Sequence, residues 1–287
     1  MRILVTGAGG QVGRELVEYC ERAGDEVFAC DHAALDVTDR DAVLQAIGSL
    51  QPEAVVHAAA WTAVDACESD PDRAFVTNAL ATRHVAEAAH RFGAYLVHLS
   101  TDYVFDGTKP EPYVEWDEPN PRSVYGRSKL GSEREVVYHA GDGATIVRIS
   151  WVCGRYGNNM VKTLLRLADA GAEPKFVTDQ VGCPTIVEDL VPMVRRFAAE
   201  RRPGLFHVTN QGAVSWYELA RATFAAAGAD PDRVAPITTA ELDPPRPAPR
   251  PANSVLDNAA LRGSGLPLLP DHRESLERLV RVLSPRR

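Results

Sequence analysis

The sequence predicts an α/β fold: a doubly wound parallel sheet followed by a smaller C-terminal α/β region. Three observations carry the prediction. Short apolar runs alternate with helical stretches through residue 150. A glycine-rich turn joins the first run to the first helix. Polar residues able to do chemistry fall directly after the apolar runs, at the strand ends where open α/β sheets gather ligands.

The predicted strands are Arg2–Thr6, Glu26–Cys30, Ala54–His57, 94–100 and 145–150. Each is a short apolar run rich in strand formers. Helices fall between them: one through Val12, Leu16, Val17 and Tyr19, then 39–47, 72–92 and 123–140. After about residue 155 the rhythm loosens. Helices are expected at 158–170, 187–199, 215–227 and 273–283, with Ser215 and Glu218 forming a capping box. Strands are expected at Lys175–Val177, 205–208 and 254–256, and a turn at 182–185. The stretch 243–251 holds five prolines and reads as a stiff extended loop. The expected division is 1–155 for nucleotide binding and 156–287 mainly for substrate, with some segments returning to the first unit.

Composition narrows the function classes. Of 287 residues 45% are hydrophobic, enough for a full core. Lysine and arginine number 31 against 39 acidic residues, a net charge of −8 without a basic cluster, which argues against a nucleic-acid surface. The terminal pair Arg286-Arg287 reads as a solvated tail. No run of about 18 apolar residues spans a membrane, and the start lacks a basic segment leading into an apolar signal core. Five cysteines without a Cys-x-x-Cys pair read as reduced thiols, so the expected location is cytoplasmic.

Tyr125 and Lys129 stand four apart on the predicted helix 123–140 and share one face. A free phenol, with a pKa of about 10, is a poor acid or base at neutral pH. An ammonium one turn away favours the phenolate and is expected to lower that value. Thr101, in the run Ser100-Thr101-Asp102-Tyr103, would hold a substrate oxygen against the phenol. This is equipment for moving a proton on or off an alcohol or ketone oxygen, and it needs a hydride partner.

The partner is announced by Gly7-Ala8-Gly9-Gly10-Gln11-Val12-Gly13. Gly7 and Gly10 allow a tight turn and close approach of a pyrophosphate to N–H groups at a helix N-terminus. Gly13 lets that helix lie close to the strand. The spacing is Gly-x-x-Gly-x-x-Gly, but its place at the first β–α junction points to a dinucleotide and a Rossmann-type sheet. Asp31, 18 residues after Gly13, suits the adenosine ribose. A carboxylate there favours NADH, and NADPH would need a more distant cation. His57 and His98 lie in apolar strand patterns without metal-ligand spacing and read as satisfied core histidines. Trp61 and Trp151 each follow a predicted strand on the ligand side. Core filling is the default for tryptophan, and Trp151 could also stack on a nucleobase or sugar.

With these residues in place, the chain resembles the extended short-chain dehydrogenase/reductase family, and within it the dTDP-4-dehydrorhamnose reductases. The matching runs include Ala58-Ala59-Ala60-Trp61-Thr62-Ala63-Val64-Asp65, Ser100 to Gly107, Tyr125 to Leu130, Arg148 to Val152, Gly157-Asn158-Asn159, Asp179 to Thr185 and Arg250 to Ser254. The resemblance implies Tyr125 as proton donor to a 4-keto oxygen, Lys129 on the nicotinamide ribose, and Thr101 on the ketone oxygen. Gly10, Gln11, Val12, Asp31, Asp36, Val37, Ala60, Trp61 and Thr62 would line NADPH or NADH. Asp102, Trp151, Arg250 and Asn253 would meet a sugar nucleotide. Two departures from the family pattern flank the site: Cys153 stands where many relatives carry an aromatic, and His57 where asparagine is common. Some members form a homodimer through Mg2+ held by glutamates, and Glu15 and Glu188 occupy similar places. Two surface carboxylates on helices are ordinarily solvated, so no metal site is assigned.

The expected reaction is therefore reduction of a dTDP-4-keto-6-deoxy sugar. Two rivals stand beside it: a reductase of a branched or antibiotic deoxysugar such as the dihydrostreptose series, and a non-catalytic regulatory subunit. The methionine adenosyltransferase β subunit resembles this same branch, so fold alone does not settle activity.

Overall fold

The computed structural model describes residues 1–284, so the Arg286-Arg287 tail lies outside the described residues. Five strands form where the apolar runs stand: β1 (Arg2–Thr6), β2 (Glu26–Cys30), β3 (Ala54–His57), β4 (Tyr95–Thr101) and β5 (Ala144–Ile149). A sixth, β6 (Gly204–His207), joins them from the second half of the chain. The sheet is parallel in every pairing, in the order β6-β5-β4-β3-β1-β2. The order reverses direction beside β1, which opens a crevice at the carboxyl ends there.

Strand alternation sorts the core into two layers. Ile3, Val5, Ala54, Val56, Val97 and Val147 face one side, under α1 (Gln11–Arg22) and the helix 187–200. Leu4, Val55, Leu96 and Ile146 face the other, under the helices 40–50, 81–92 and 124–140. Adjacent residues of one strand thus enter different cores, the period-2 geometry that a sheet covered on both faces requires. The helix Val187–Glu200 and β6 both belong to this unit, although they lie far beyond residue 155.

The continuous helix expected over 72–92 is broken. Short helices occupy Val64–Ser69 and Pro71–Phe75, a π-helical turn follows at Val76–Leu80, and the regular helix is Ala81–Phe92. The widened turn carries Asn78, a buried side chain on the stripe Ala74, Asn78, Thr82. Its amide donates to the Trp61 carbonyl and to Ser128, bonds that fix a π turn at a functional edge.

The remaining segments form a lobe over the carboxyl end of the sheet. Its own apolar cluster joins Val161, Leu165, Ile186, Leu219, Leu276 and Leu279 from the helices 160–169, 216–226 and 272–283. The capping box of Ser215 and Glu218 is present in full. The 182–185 turn is flanked by two-residue strands, pairing Val181–Gly182 with Val214–Ser215 and Thr185–Ile186 with Val152–Cys153. The strand expected at 254–256 is reduced to isolated bridges on either side, Tyr113 with Leu256 and Val181 with Asn253. Its backbone is shared between two partners, Ser254 N–H donating to the Val181 carbonyl while Val255 and Asp257 bond to Tyr113, so neither side extends into a ladder. Among the described residues no helix is long and apolar enough to cross a membrane, and all five cysteines are free thiols.

Candidate active site

Two adjoining cavities open at the carboxyl edge of the sheet, and both include Gly7, Gly10, Ala58 and Ala60. The glycine loop makes this edge possible. Gly7 has φ +66°, and a Cβ there would sit 2.6 Å from the Ala59 nitrogen. A Cβ on Gly13 would stand 2.2 Å from the Gly7 carbonyl oxygen. Larger side chains would therefore push α1 off the strand and fill the cradle in front of its N-terminal N–H groups.

The first cavity, of about 840 Å3, is lined by Asp31, Asp36, Val37, Ala60, Trp61 and Arg73 among others. Asp31 accepts from the backbone N–H groups of Ala33 and Ala34 through Oδ1. Asp36 accepts from the N–H and hydroxyl of Thr38, which hold its carboxyl below the usual range. Trp61 lines the cavity and also packs on the small apolar cluster of Cys67, Ala74, Val124 and Tyr125, with the Arg73 guanidinium 4.4 Å above its ring. Its backbone is pinned by Asn78, whose side-chain oxygen accepts from Trp61 N–H at 2.7 Å. The cavity has the length, the glycine cradle and the mixed polar lining that a dinucleotide needs.

The second cavity, of about 490 Å3, is where Thr101, Asp102, Tyr125, Lys129, Ser150 and Trp151 converge with Gln11, Val12, Gly13 and Thr62. Ser123 caps the helix Val124–Ala140 by accepting from the Gly126 N–H, so Tyr125 sits in its first turn and Lys129 one turn on. Glu133, on the same helix, takes two hydrogen bonds from Arg148 of β5, at 2.8 and 2.7 Å, and one from Ser100 of β4. That buried pair bolts the helix to the two strands whose ends form the cavity floor.

Burial pushes the Tyr125 phenol well above its ordinary value; the nearby Thr101 hydroxyl draws it part of the way back, and Asp102 adds to the rise. The lowering expected from Lys129 is not found. The lysine ammonium instead donates to the Leu99 carbonyl at 2.8 Å and lies 3.3 Å from His98 Nε2. The phenol therefore starts protonated, as a proton donor must. Burial also draws Lys129 down to about 8, against the attraction of Glu133. It remains an ammonium at neutral pH, held beside His98, which burial keeps neutral. His98 stacks on His57 with ring centroids 5.3 Å apart, and His57 is satisfied by Thr6 and Thr82. Both histidines are buried parts of the support behind Lys129.

Asp102 follows Thr101 and receives its hydroxyl proton at 3.0 Å. Burial pushes its carboxyl up to about 6, opposed by hydrogen bonds from Ser254 and Thr101. Its second oxygen has no protein partner and belongs to a residue lining the cavity. Trp151 closes the opposite side. Arg250 and Asn253 line neither cavity. Both terminal guanidinium nitrogens of Arg250 donate to Asp65 at 2.8 Å, and the Asn253 amide donates to the carbonyls of Lys109 and Glu111. These two residues hold the proline-rich loop against the sheet unit.

Glu15 is buried, not a solvated surface carboxylate. Its Oε1 accepts from the Arg155 N–H at 2.6 Å, and the Arg155 guanidinium lies 3.5 Å from Oε2. Glu188 is exposed beside Arg278. Among the described residues no group of three or more His, Cys, Asp or Glu could hold a metal ion. Sequence reasoning missed Asn78, Arg73, Asn158 and Ser150. Asn158 and Ser150 stand within the matching runs 157–159 and 148–152, Asn78 is a polar residue on the apolar stripe of a predicted helix, and Arg73 left no signal.

A glycine cradle at the first β–α crossover, joined to a cavity holding a buried tyrosine, lysine and threonine, defines a Rossmann-type oxidoreductase of the short-chain dehydrogenase/reductase class. The family model of the RmlD substrate binding domain matches residues 1–284, and the chain belongs to that family. It is 42% identical, over 96% of its length and 91% of the relative's, to dTDP-4-dehydrorhamnose reductase of Streptomyces griseus. It is 43% identical, over 96% and 93%, to a probable dTDP-4,6-dihydroxy-2-methyloxan-3-one 4-ketoreductase of Streptomyces antibioticus. The crystal structure of dTDP-4-dehydrorhamnose reductase from Bacillus anthracis str. Ames in complex with NADP superposes with a TM-score of 0.93 at 39% identity, covering 97% of this chain and 98% of that one.

Proposed function

We propose that this protein reduces the 4-keto group of a dTDP-4-keto-6-deoxy sugar, with NADPH or NADH as the hydride source. The observation that carries the reading is the convergence of Thr101, Tyr125 and Lys129 in one cavity that runs into the glycine cradle. The nicotinamide supplies a hydride when bound, and the residues of the chain supply everything else.

Gly7, Gly10, Gln11, Val12 and Gly13 receive the pyrophosphate; Asp31, Asp36, Val37, Ala60, Trp61 and Thr62 line the rest of the dinucleotide. Arg73, in the same cavity as Asp31, is the more distant cation that a 2′-phosphate would require, so both cofactors are accepted. Thr101 holds the ketone oxygen and Tyr125, kept protonated by burial, delivers the proton to it. Lys129 positions the nicotinamide ribose and stabilises the phenolate that Tyr125 becomes. Asp102, with one carboxyl oxygen free, accepts from a sugar hydroxyl, and Trp151 packs on the sugar nucleotide. Residues 156–287 then serve mainly substrate binding, with 187–208 returned to the sheet unit. Arg250 and Asn253 act by holding the loop that closes this side.

Relatives at 42% and 43% identity carry names with different ketosugars, so the substrate is best found with a panel. Purified protein supplied with NADPH and a series of dTDP-4-keto-6-deoxy sugars is expected to oxidise the cofactor with at least one of them. A well-folded protein inert toward the whole series would favour the non-catalytic alternative.

A further inference from the structure

We propose that Trp216, which lines neither cavity, is the positioning residue that sets Trp151 as the aromatic wall of the reactive cavity. Through this pair the C-terminal lobe controls affinity for the sugar nucleotide. The ligand's identity rests on the ketoreductase reading above; the stacking itself does not.

Trp151 leaves the end of β5 in a left-handed conformation, φ +46°. A bulky side chain is strained there and stays only when its surroundings over-determine it. Two contacts from the lobe do so. The Trp216 ring stacks on Trp151 with centroids 3.6 Å apart and planes 6° from parallel. The backbone of Gly182 also lies against the indole, because a Cβ there would come within 2.6 Å of Trp151 Cε2.

Both contacts are themselves fixed to each other. Val181 and Gly182 pair antiparallel with Ser215 and Val214, and the Trp216 N–H donates to the Gln180 carbonyl at 3.4 Å. The capping box of Ser215 and Glu218 then fixes the first turn of the helix that carries Trp216. The same strand reaches the other side of the cavity: Ser254 N–H donates to the Val181 carbonyl at 2.8 Å, and Ser254 opposes the rise that burial imposes on the Asp102 carboxyl. Trp151 thus belongs by sequence to the sheet unit, yet its ring packs on the apolar cluster of the lobe. The lobe sets the ring's angle, and the cavity sees only the result.

The test compares the intact wild type with Trp216→Ala and Trp216→Phe. Circular dichroism reads the exciton couplet of two stacked indoles, thermal melting reads the fold, and steady-state kinetics reads kcat and both KM values. Trp216→Ala is expected to lose the couplet and raise the ketosugar KM about five- to tenfold, the size of one aromatic stacking contact. Its kcat and NADPH KM should stay within about twofold, since no group at the reacting atoms moves. Trp216→Phe, which still offers a flat ring, should recover most of the lost affinity. A folded Trp216→Ala that has lost the couplet and keeps its ketosugar KM overturns the proposal, as does an equal rise in both KM values. If Trp216→Ala does not fold, Gly182→Ala displaces the same indole from its other contact; a raised ketosugar KM supports the proposal and an unchanged one overturns it. A wild type inert toward ketosugars overturns the ketoreductase reading, whereas an active wild type with an unmoved KM in Trp216→Ala overturns only the role of Trp216.

Discussion

The two walls of the reactive cavity are built in opposite ways. Thr101, Tyr125 and Lys129 stand on β4 and one helix of the sheet unit, bolted together by the buried Glu133–Arg148 pair. Trp151 faces them from a strained turn, gripped by residues 31 and 65 positions further along the chain. The first wall is over-determined by regular packing and fixes the type of reaction. The second depends on side-chain clamps between distant segments and fixes what the reaction is done to. On the proposed function, chemistry stands on the regular elements of the sheet unit, and selectivity where side chains from distant segments meet.

Changes at the first wall should be the most damaging and should act on kcat. Tyr125→Phe removes the proton donor while keeping the ring, and is expected to cut kcat by about 10²- to 10⁴-fold with little change in substrate KM. A residual rate near that of wild type would show that another group delivers the proton.

Lys129 gives a pH signature. As an ammonium held down to about 8, it should support turnover below that pH and lose it above. In the unfolded chain a lysine titrates at about 10, so between the two values the unfolded state binds more protons and stability rises with pH. Thermal melts of wild type and Lys129→Met across pH 7 to about 10 should differ by that rise, present in the wild type and missing in the variant. Parallel curves would mean that the lysine is not desolvated.

The second wall should give smaller effects that fall on KM. Arg250→Ala breaks the bidentate bond to Asp65 that ties the proline-rich loop to the sheet unit. Because the pair is partly solvated, the loss is expected to be about 1 kcal/mol, a Tm drop of about 2–4 °C, with kcat preserved and the ketosugar KM raised a few-fold. A fall in kcat alone would move Arg250 to the chemical wall.

The dinucleotide cavity should respond least. Arg73→Ala is expected to raise the KM for NADPH by about two- to fivefold and leave that for NADH nearly unchanged, as an exposed charge contact allows. Equal shifts for both cofactors would take the 2′-phosphate away from Arg73.

This asymmetry also explains what the sequence made legible. The strands β1 to β5 and the glycine loop stand where apolar runs and turn chemistry put them, because one layer of local pattern suffices for a sheet covered on both faces. Thr101, Tyr125 and Lys129 were readable for the same reason: each lies at a strand end or one helical turn from its partner. Asn78 broke the long helix expected at 72–92, since its buried amide donates to the Trp61 carbonyl and to Ser128, bonds that no local propensity encodes. Electrostatics was the less legible half. Spacing suggested that Lys129 would lower the Tyr125 pKa, but burial dominates and the ammonium is spent on the Leu99 carbonyl. Trp216 carried no signal, and Arg250, Asp65 and Gly182 entered only through the matching runs, without their partners, because those partners lie far away in sequence and only tertiary packing joins them.

The central claim is that hydride and proton both arrive at the C4 carbonyl of a dTDP-4-keto-6-deoxy sugar in this cavity. Turnover with nicotinamide deuterated at C4, followed by NMR of the product, tests it most directly. The account predicts a single deuterium on sugar C4, with the label absent from the sugar when Tyr125→Phe is used for the same time. Cofactor oxidation without deuterium at C4, or label at another carbon, would contradict it.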